Sequence, residues 1–201
     1  MEISWETLLS EMRGCNRCRL GASRTQAVPG EGSPASGLML IGEGPGRDED
    51  MLGRPFVGAA GQLLEKTIAA IGHSRDTLYI TNIVKCRPPG NRAPEPDEAE
   101  ACMPFLRLQV ALLRPKIIVL MGATALRAIL GDSMRITRDR GQFIERKGVL
   151  FMPTFHPAAL LRDEDKKRPF WEDFKKVRDM LAEIPEGRQG ASASLDSPPG
   201  E

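Results

Sequence analysis

No apolar run in the sequence approaches the ~18 residues that a membrane-crossing helix needs, which excludes an integral membrane protein built of helices. A surplus of one charge is missing too. Lys and Arg number 28 against 27 Asp and Glu, for a formal net charge of +1. That excludes a global polycation, although a local basic patch can still serve a nucleic-acid partner. Histidine is scarce, with two in the chain, and there are only four cysteines. Four cysteines in 201 residues do not make a disulfide scaffold. The opening stretch, Trp5-Glu6-Thr7-Leu8-Leu9 included, is acidic and amphipathic, and no secretory signal is expected in it. The expectation is a soluble, cytoplasmic chain with no membrane partner.

What is present reads as a globular domain. Hydrophobic residues make up 41% and charged residues 27%, near the average for folded domains. At ~150 residues per domain the length suits one domain with a sizeable core. Residues 37–42, 78–84, 116–121 and 149–153 are short apolar or β-branched runs bounded by glycine or proline, the pattern of buried parallel strands. Helical spacing recurs over residues 2–13, 59–71, 96–113, 123–130 and 169–184, with a short helix opening at His156-Pro157. Strands alternating with helices predict a three-layer α/β/α sandwich around a central, mainly parallel four-stranded sheet. The domain is expected over residues 1–185. Residues 186–201 carry one large apolar side chain, Leu195, and are expected to be a disordered tail.

In such a fold the ligand site lies at the carboxyl ends of the strands. Three segments fall there: residues 42–50, 82–92 and 154–162. Gly42-Glu43-Gly44-Pro45-Gly46 follows a strand as a dinucleotide loop would, but Asp48-Glu49-Asp50 put three carboxylates where a pyrophosphate would sit. A Gly/Pro loop bearing Glu43 and Glu49 better suits backbone approach to a flat ligand, with a carboxylate near developing positive charge. Asn82 closes the second strand, and its carboxamide offers a donor and an acceptor side by side, the complement of a pyrimidine's edge. Phe56 lies in a loop and can serve as a stacking platform or as a core anchor. His156 stands at the predicted ligand edge, where a neutral imidazole can donate to a leaving group. Arg17, Arg19 and Arg24, with Lys85, Arg87 and Arg92, are candidates for a basic rim.

The cysteines are not scattered. Cys15 and Cys18 form a C-x2-C pair, and Cys86 and Cys102 follow far along the chain. Structural zinc usually draws on two tight pairs, so this spacing favours a [4Fe–4S] cluster over zinc; zinc and unrelated buried thiols stay open.

Taken in order, Gly42-Glu43-Gly44-Pro45-Gly46 with Glu49, Arg54-Pro55-Phe56-Val57-Gly58, Thr81-Asn82-Ile83-Val84-Lys85-Cys86-Arg87-Pro88-Pro89-Gly90-Asn91-Arg92 and His156-Pro157-Ala158-Ala159-Leu160-Leu161-Arg162 resemble the family 4 uracil-DNA glycosylases. The cysteine spacing resembles that family as well. The resemblance implies a monofunctional repair enzyme that flips uracil from single- or double-stranded DNA, hydrolyses its N-glycosidic bond and leaves an abasic site. It implies uracil contacts from Gly42, Glu43, Gly44, Pro45, Phe56, Asn82 and His156, and catalysis by Glu43, Glu49 and His156. DNA contacts fall to Asn91, Arg92 and Arg162, with Leu160 or Leu161 as a wedge in the duplex. A structural [4Fe–4S] cluster would sit on Cys15, Cys18, Cys86 and Cys102. A monomer associated with the nucleoid is the expected state. Related glycosylases without a cluster carry an aspartate where this loop has Gly44, so the carboxylate role passes to a glutamate. Residues 87–96 hold no histidine of the kind that traps uracil covalently elsewhere in the superfamily, so turnover is expected. The alternative is a non-catalytic iron–sulfur domain that docks DNA or a polymerase.

Overall fold

Four apolar runs form the parallel centre of one sheet in the computed structural model, which describes residues 4–33 and 37–185. The strands are β1 (Glu31–Gly32), β2 (Leu38–Gly42), β3 (Tyr79–Asn82), β4 (Ile117–Met121), β5 (Ile144–Arg146) and β6 (Val149–Thr154). The helices are α1 (Trp5–Gly14), α2 (Leu20–Ser23), α3 (Arg47–Leu52), α4 (Ala59–Ala70) and α5 (Pro96–Leu113). They continue with α6 (Ala123–Leu130), α7 (Ile136–Asp139), α8 (Pro157–Leu160) and α9 (Lys167–Glu183). The tail expected over residues 186–201 lies outside the described residues, as do the first two residues of the helix expected over 2–13.

Sheet order is β1-β3-β2-β4-β6-β5. The inner four strands run parallel, and β1 and β5 pair antiparallel at the two edges. The sequence predicts the four inner strands and misses both edges. β1 is two residues long and gives no periodicity to read. β5 and β6 form a hairpin turning on Lys147 (φ 50°) and Gly148 (φ 78°). Two consecutive positive φ values are what a tight hairpin turn needs, but lysine stands where asparagine or glycine would announce it.

Alternation within the buried strands separates two cores. Met39, Ile41, Ile118 and Leu120 pack with side chains of α1, α5 and α6. Leu38, Leu40, Ile117 and Val119 pack with α4, α9 and Leu160 of α8. Each such side chain contributes ~1.5–3 kcal/mol on burial, and together they hold the three layers. The chain leaves β2 for β3 on one side, while β4 lies on the other, so a crevice opens beyond the carboxyl ends of the strands. Among the described residues, no helix is long and apolar enough to cross a membrane.

Candidate active site

A cleft of about 490 Å³ occupies that crevice and is lined by Glu43, Glu49, Phe56, Asn82 and His156. Gly44 and Pro45 form part of its wall, and Asn91, Arg92 and Arg162 also border it. Three segments far apart in sequence are thus gathered as the strand-end rule predicts. The two wedge candidates part company. Leu160 is 1% exposed and belongs to the core under α9, so it cannot enter a duplex without unpacking that core. Leu161, one residue on, is 52% exposed.

Asn82 ends β3 in register with Gly42 at the end of β2. It is buried, and among the described residues its Oδ1 has no hydrogen-bond partner. An orphaned buried amide oxygen costs ~1–3 kcal/mol, a cost that a ligand donating to it would remove. Gly42 leaves the space beside it: a Cβ there would fall 2.5 Å from both Asn82 Oδ1 and Phe56 Cζ. At Gly44 the close neighbour is Val84 Cγ2, at 2.8 Å from such a Cβ. Gly42 is therefore the glycine that makes room between the amide and the ring, and Gly44 serves packing against the strand end.

The two glutamates have different surroundings. Glu49 accepts the main-chain N–H groups of Gly46 (3.1 Å), Val57 (2.8 Å) and Gly58 (3.0 Å). It caps α3 and ties the loop after β2 to the loop that carries Phe56. Glu43 is engaged among the described residues by the hydroxyl of Thr124, on the first turn of α6. Thr124 gave no signal in the sequence, because a threonine beginning a helix is ordinary.

His156 is the cap residue of α8, and Ala158 N–H donates to its Nδ1 at 3.1 Å. With Nδ1 accepting, a neutral ring carries its proton on Nε2. Burial lowers the imidazole's pKa below its ordinary value, Glu43 pulls it up, and Arg162 pushes it down again. A neutral donor is the result. Its ring lies 5.7 Å from that of Phe56, tilted by 32°.

A family model for the uracil DNA glycosylase superfamily matches residues 29–175. The type-4 uracil-DNA glycosylase of Sulfurisphaera tokodaii is 45% identical over 186 residues, covering 88% of this chain and 84% of that protein. The type-4 enzyme of Saccharolobus solfataricus is 42% identical over 190 residues, 90% of this chain and 88% of its own. That of Thermotoga maritima is 42% identical over 180 residues, 88% and 94% respectively. The chain belongs to the type-4 uracil-DNA glycosylase family.

In this glycosylase family member, all four cysteines line a second, small cavity between α1, α5 and the segment after β3. Cys86 and Cys102 are buried, and Cys15 and Cys18 are half-buried. Among the described residues, no three His, Cys, Asp or Glu side chains are gathered as a single metal ion would need. Burial pushes the Cys102 thiol up to about 11, with Lys85 opposing. Arg24 donates to Cys86 Sγ at 3.0 Å, and Arg17 N–H donates to Cys15 Sγ at 3.4 Å. A guanidinium on Cys86 and an N–H on Cys15, with the Lys85 ammonium beside Cys102 and Cys86, fit a group that binds these cysteines as thiolates.

The basic rim is mostly elsewhere. Lys85 is buried, and its ammonium donates to Thr81 Oγ1 (2.6 Å) and to the Asn82 carbonyl (2.7 Å). Burial lowers its pKa to about 8, with Cys102 and Cys86 opposing. Arg19 is bound to Asp97 and Glu98, and the Arg17 guanidinium sits over the Phe105 ring. Arg87 donates to Asn91 Oδ1 at 2.7 Å. Of the six candidates, Arg92 alone borders the cleft, together with the later Arg162.

Proposed function

We propose that this chain flips uracil out of DNA and hydrolyses its N-glycosidic bond, releasing free uracil and leaving an abasic site. The observation that carries the reading is the buried Asn82 amide, its Oδ1 unpartnered among the described residues, lining a cleft shared with Phe56 and His156. Uracil presents N3–H and O4 side by side, and a carboxamide meets both: Oδ1 accepts from N3–H and Nδ2 donates to O4. Cytosine reverses both polarities, which leaves two unmatched polar pairs at a buried amide. The ring of Phe56 provides an apolar face for stacking. As the bond breaks, the sugar gains oxocarbenium character and the base gains negative charge. His156 Nε2–H donates to the departing uracil anion, which then takes up a proton. Glu43 faces the cationic sugar and orients the water whose oxygen joins C1′, and the proton that this water sheds balances the one that uracil takes up. Glu49 acts on this chemistry through the loops it joins.

Arg92, Asn91 and Arg162 at the cleft suit phosphate contacts, and Leu161 is the wedge that fills the vacated stack. A [4Fe–4S] cluster on Cys15, Cys18, Cys86 and Cys102 would supply a covalent staple joining the amino-terminal segment to α5 and the strand end below Asn82. The working form is a cytoplasmic monomer at the chromosome, acting on uracil in single- or double-stranded DNA.

The test is a labelled oligonucleotide with one uracil, incubated with the protein and then with alkali. Cleavage at that position by the parent protein, and its loss in Asn82→Ala and His156→Ala, is expected. Protein that binds the oligonucleotide and never cleaves it would move the assignment to a DNA-docking domain. Absorbance near 400 nm, lost together with iron in Cys102→Ala, is the expected sign of the cluster.

A further inference from the structure

Phe56 has a φ of 52°, in the left-handed region that a bulky side chain occupies only when its surroundings compel it. Two features outside the cleft do so. Gly61 on α4 lets the Phe56 carbonyl approach closely, since a Cβ there would fall 1.7 Å from that oxygen. Arg75, in the connection between α4 and β3, donates to the carbonyls of both Pro55 (2.8 Å) and Phe56. Arg75 is itself fixed from two sides, by Glu31 of β1 and Glu65 of α4. Glu31 also receives Arg54 at 2.7 Å. Burial would raise the Glu31 carboxyl, but Arg54 and Arg75 hold it below its usual range.

Four acceptors in fixed directions around one cation require a planar fork of donors, and a lysine's compact ammonium cannot reach them together. Arg75 borders none of the cleft, yet it holds the two peptide groups that aim Phe56, the aromatic face that lines the cleft with Asn82 and His156.

We propose that Arg75 is a positioning residue for uracil recognition, its guanidinium clamping the Pro55 and Phe56 carbonyls so that the Phe56 ring is preset as the stacking face. This deepens the uracil reading above and rests on it. Presetting matters because a ring already in place loses no freedom when the base arrives.

The experiment compares the full chain with Arg75→Lys, Phe56→Ala and the double variant. It measures the inhibition constant of free uracil, kcat and KM on a uracil oligonucleotide, and affinity for an abasic oligonucleotide. Arg75→Lys is expected to raise the uracil inhibition constant about tenfold, as loss of one base-stacking contact does, with abasic-DNA affinity unchanged. In the Phe56→Ala background the same substitution is expected to change nothing more. An equal rise in both backgrounds, or a lower melting temperature with no change in uracil inhibition, would overturn the proposal. Should Arg75→Lys fail to fold, Glu65→Gln loosens the same guanidinium at a half-exposed position; a rise in the uracil constant that vanishes without Phe56 supports the clamp, and no rise overturns it. A Phe56→Ala protein that binds uracil like its parent would overturn the stacking role itself, and the clamp with it.

Discussion

The Glu49 carboxylate accepts the main-chain N–H of Val57 at 2.8 Å, and so fastens the loop after β2 to the loop that bears Phe56. With Gly58 and Gly46 it satisfies three N–H groups at once. An amide in its place keeps one accepting oxygen and turns an N–H2 toward donors. Glu49→Gln is therefore expected to lose ~1–3 kcal/mol of stability along with activity. Glu43→Gln is expected to lower kcat with thermal unfolding almost unmoved. Unfolding curves beside single-turnover rates separate the two, and a fully stable, inactive Glu49→Gln would transfer the chemical role to Glu49.

Gly42 stands between the residues proposed to hold the base. Alanine there would bring its Cβ within 2.5 Å of Asn82 Oδ1 and of Phe56 Cζ, two groups with little freedom to yield. Gly42→Ala is expected to fold and to lose at least about a hundredfold in kcat/KM, as a misplacement near 1 Å does in a preorganised site. Uracil inhibition should weaken in parallel. A fully active Gly42→Ala would mean that the base sits elsewhere in the cleft.

The sequence made the centre of the fold legible because parallel strands buried on both faces read as apolar runs, and glycine or proline marked their ends. Its edges were silent, β1 for brevity and β5 because Lys147 took a glycine's conformation. Asn82, His156 and the Glu43 loop were legible for the same reason as the sheet, being the residues at which strands stop. What a side chain meets after its backbone is placed was not legible. Leu160 and Leu161 are equivalent in composition, and one step around a helix sends the first into the core and the second to solvent. Lys85 looked like part of a basic run, yet the strand end directs it inward to the Asn82 carbonyl. Arg75 carried no signal at all, because its partners come from residues 31, 55, 56 and 65.

Asn82→Asp should relax the choice between uracil and cytosine. An ionised carboxylate accepts at both oxygens and matches the amino group of cytosine, while it opposes uracil O4. Uracil excision is expected to fall and cytosine excision to become measurable in a paired assay on matched oligonucleotides. Unchanged selectivity would remove Asn82 from base reading.

His156 titrates below its ordinary 6.5 because burial disfavours the imidazolium. Activity that depends on the neutral ring should persist as pH falls through 6.5 and decline only further down. The unfolded chain takes up its proton first, so this residue's own contribution to stability falls as pH drops from about 6.5 to the folded value, and is constant below it. A kcat–pH profile and ¹⁵N spectra reporting a neutral ring protonated at Nε2 are the measurements. His156→Ala should cost about 10²–10³ in kcat and remove that part of the stability profile.

Glu98 is wholly buried between Arg92, at 2.7 Å, and Arg19, also at 2.7 Å, and it accepts Glu95 N–H at 2.8 Å. Arg92 above all, then the Glu95 N–H and Arg19, hold its carboxyl at about 2 against the opposing effect of burial. A carboxyl lowered from 4.5 to about 2 stabilises the fold above pH 4.5, and that contribution fades as pH falls toward 2. The Arg19 and Arg92 side chains are 59% and 34% exposed, so solvent screens the pair and Glu98→Gln should cost ~1–3 kcal/mol, less than a fully buried pair would. Urea unfolding at pH 7 should place the variant below its parent, and the two should converge as the pH approaches 2. A gap that persists undiminished at low pH would mean that Glu98 acts by packing and not by charge. Because Arg92 borders the cleft and Arg19 follows Cys18, the loss should also loosen the joint between the cysteine-bearing segment and the cleft, read as faster hydrogen exchange at residues 15–20 and 87–92 in the variant.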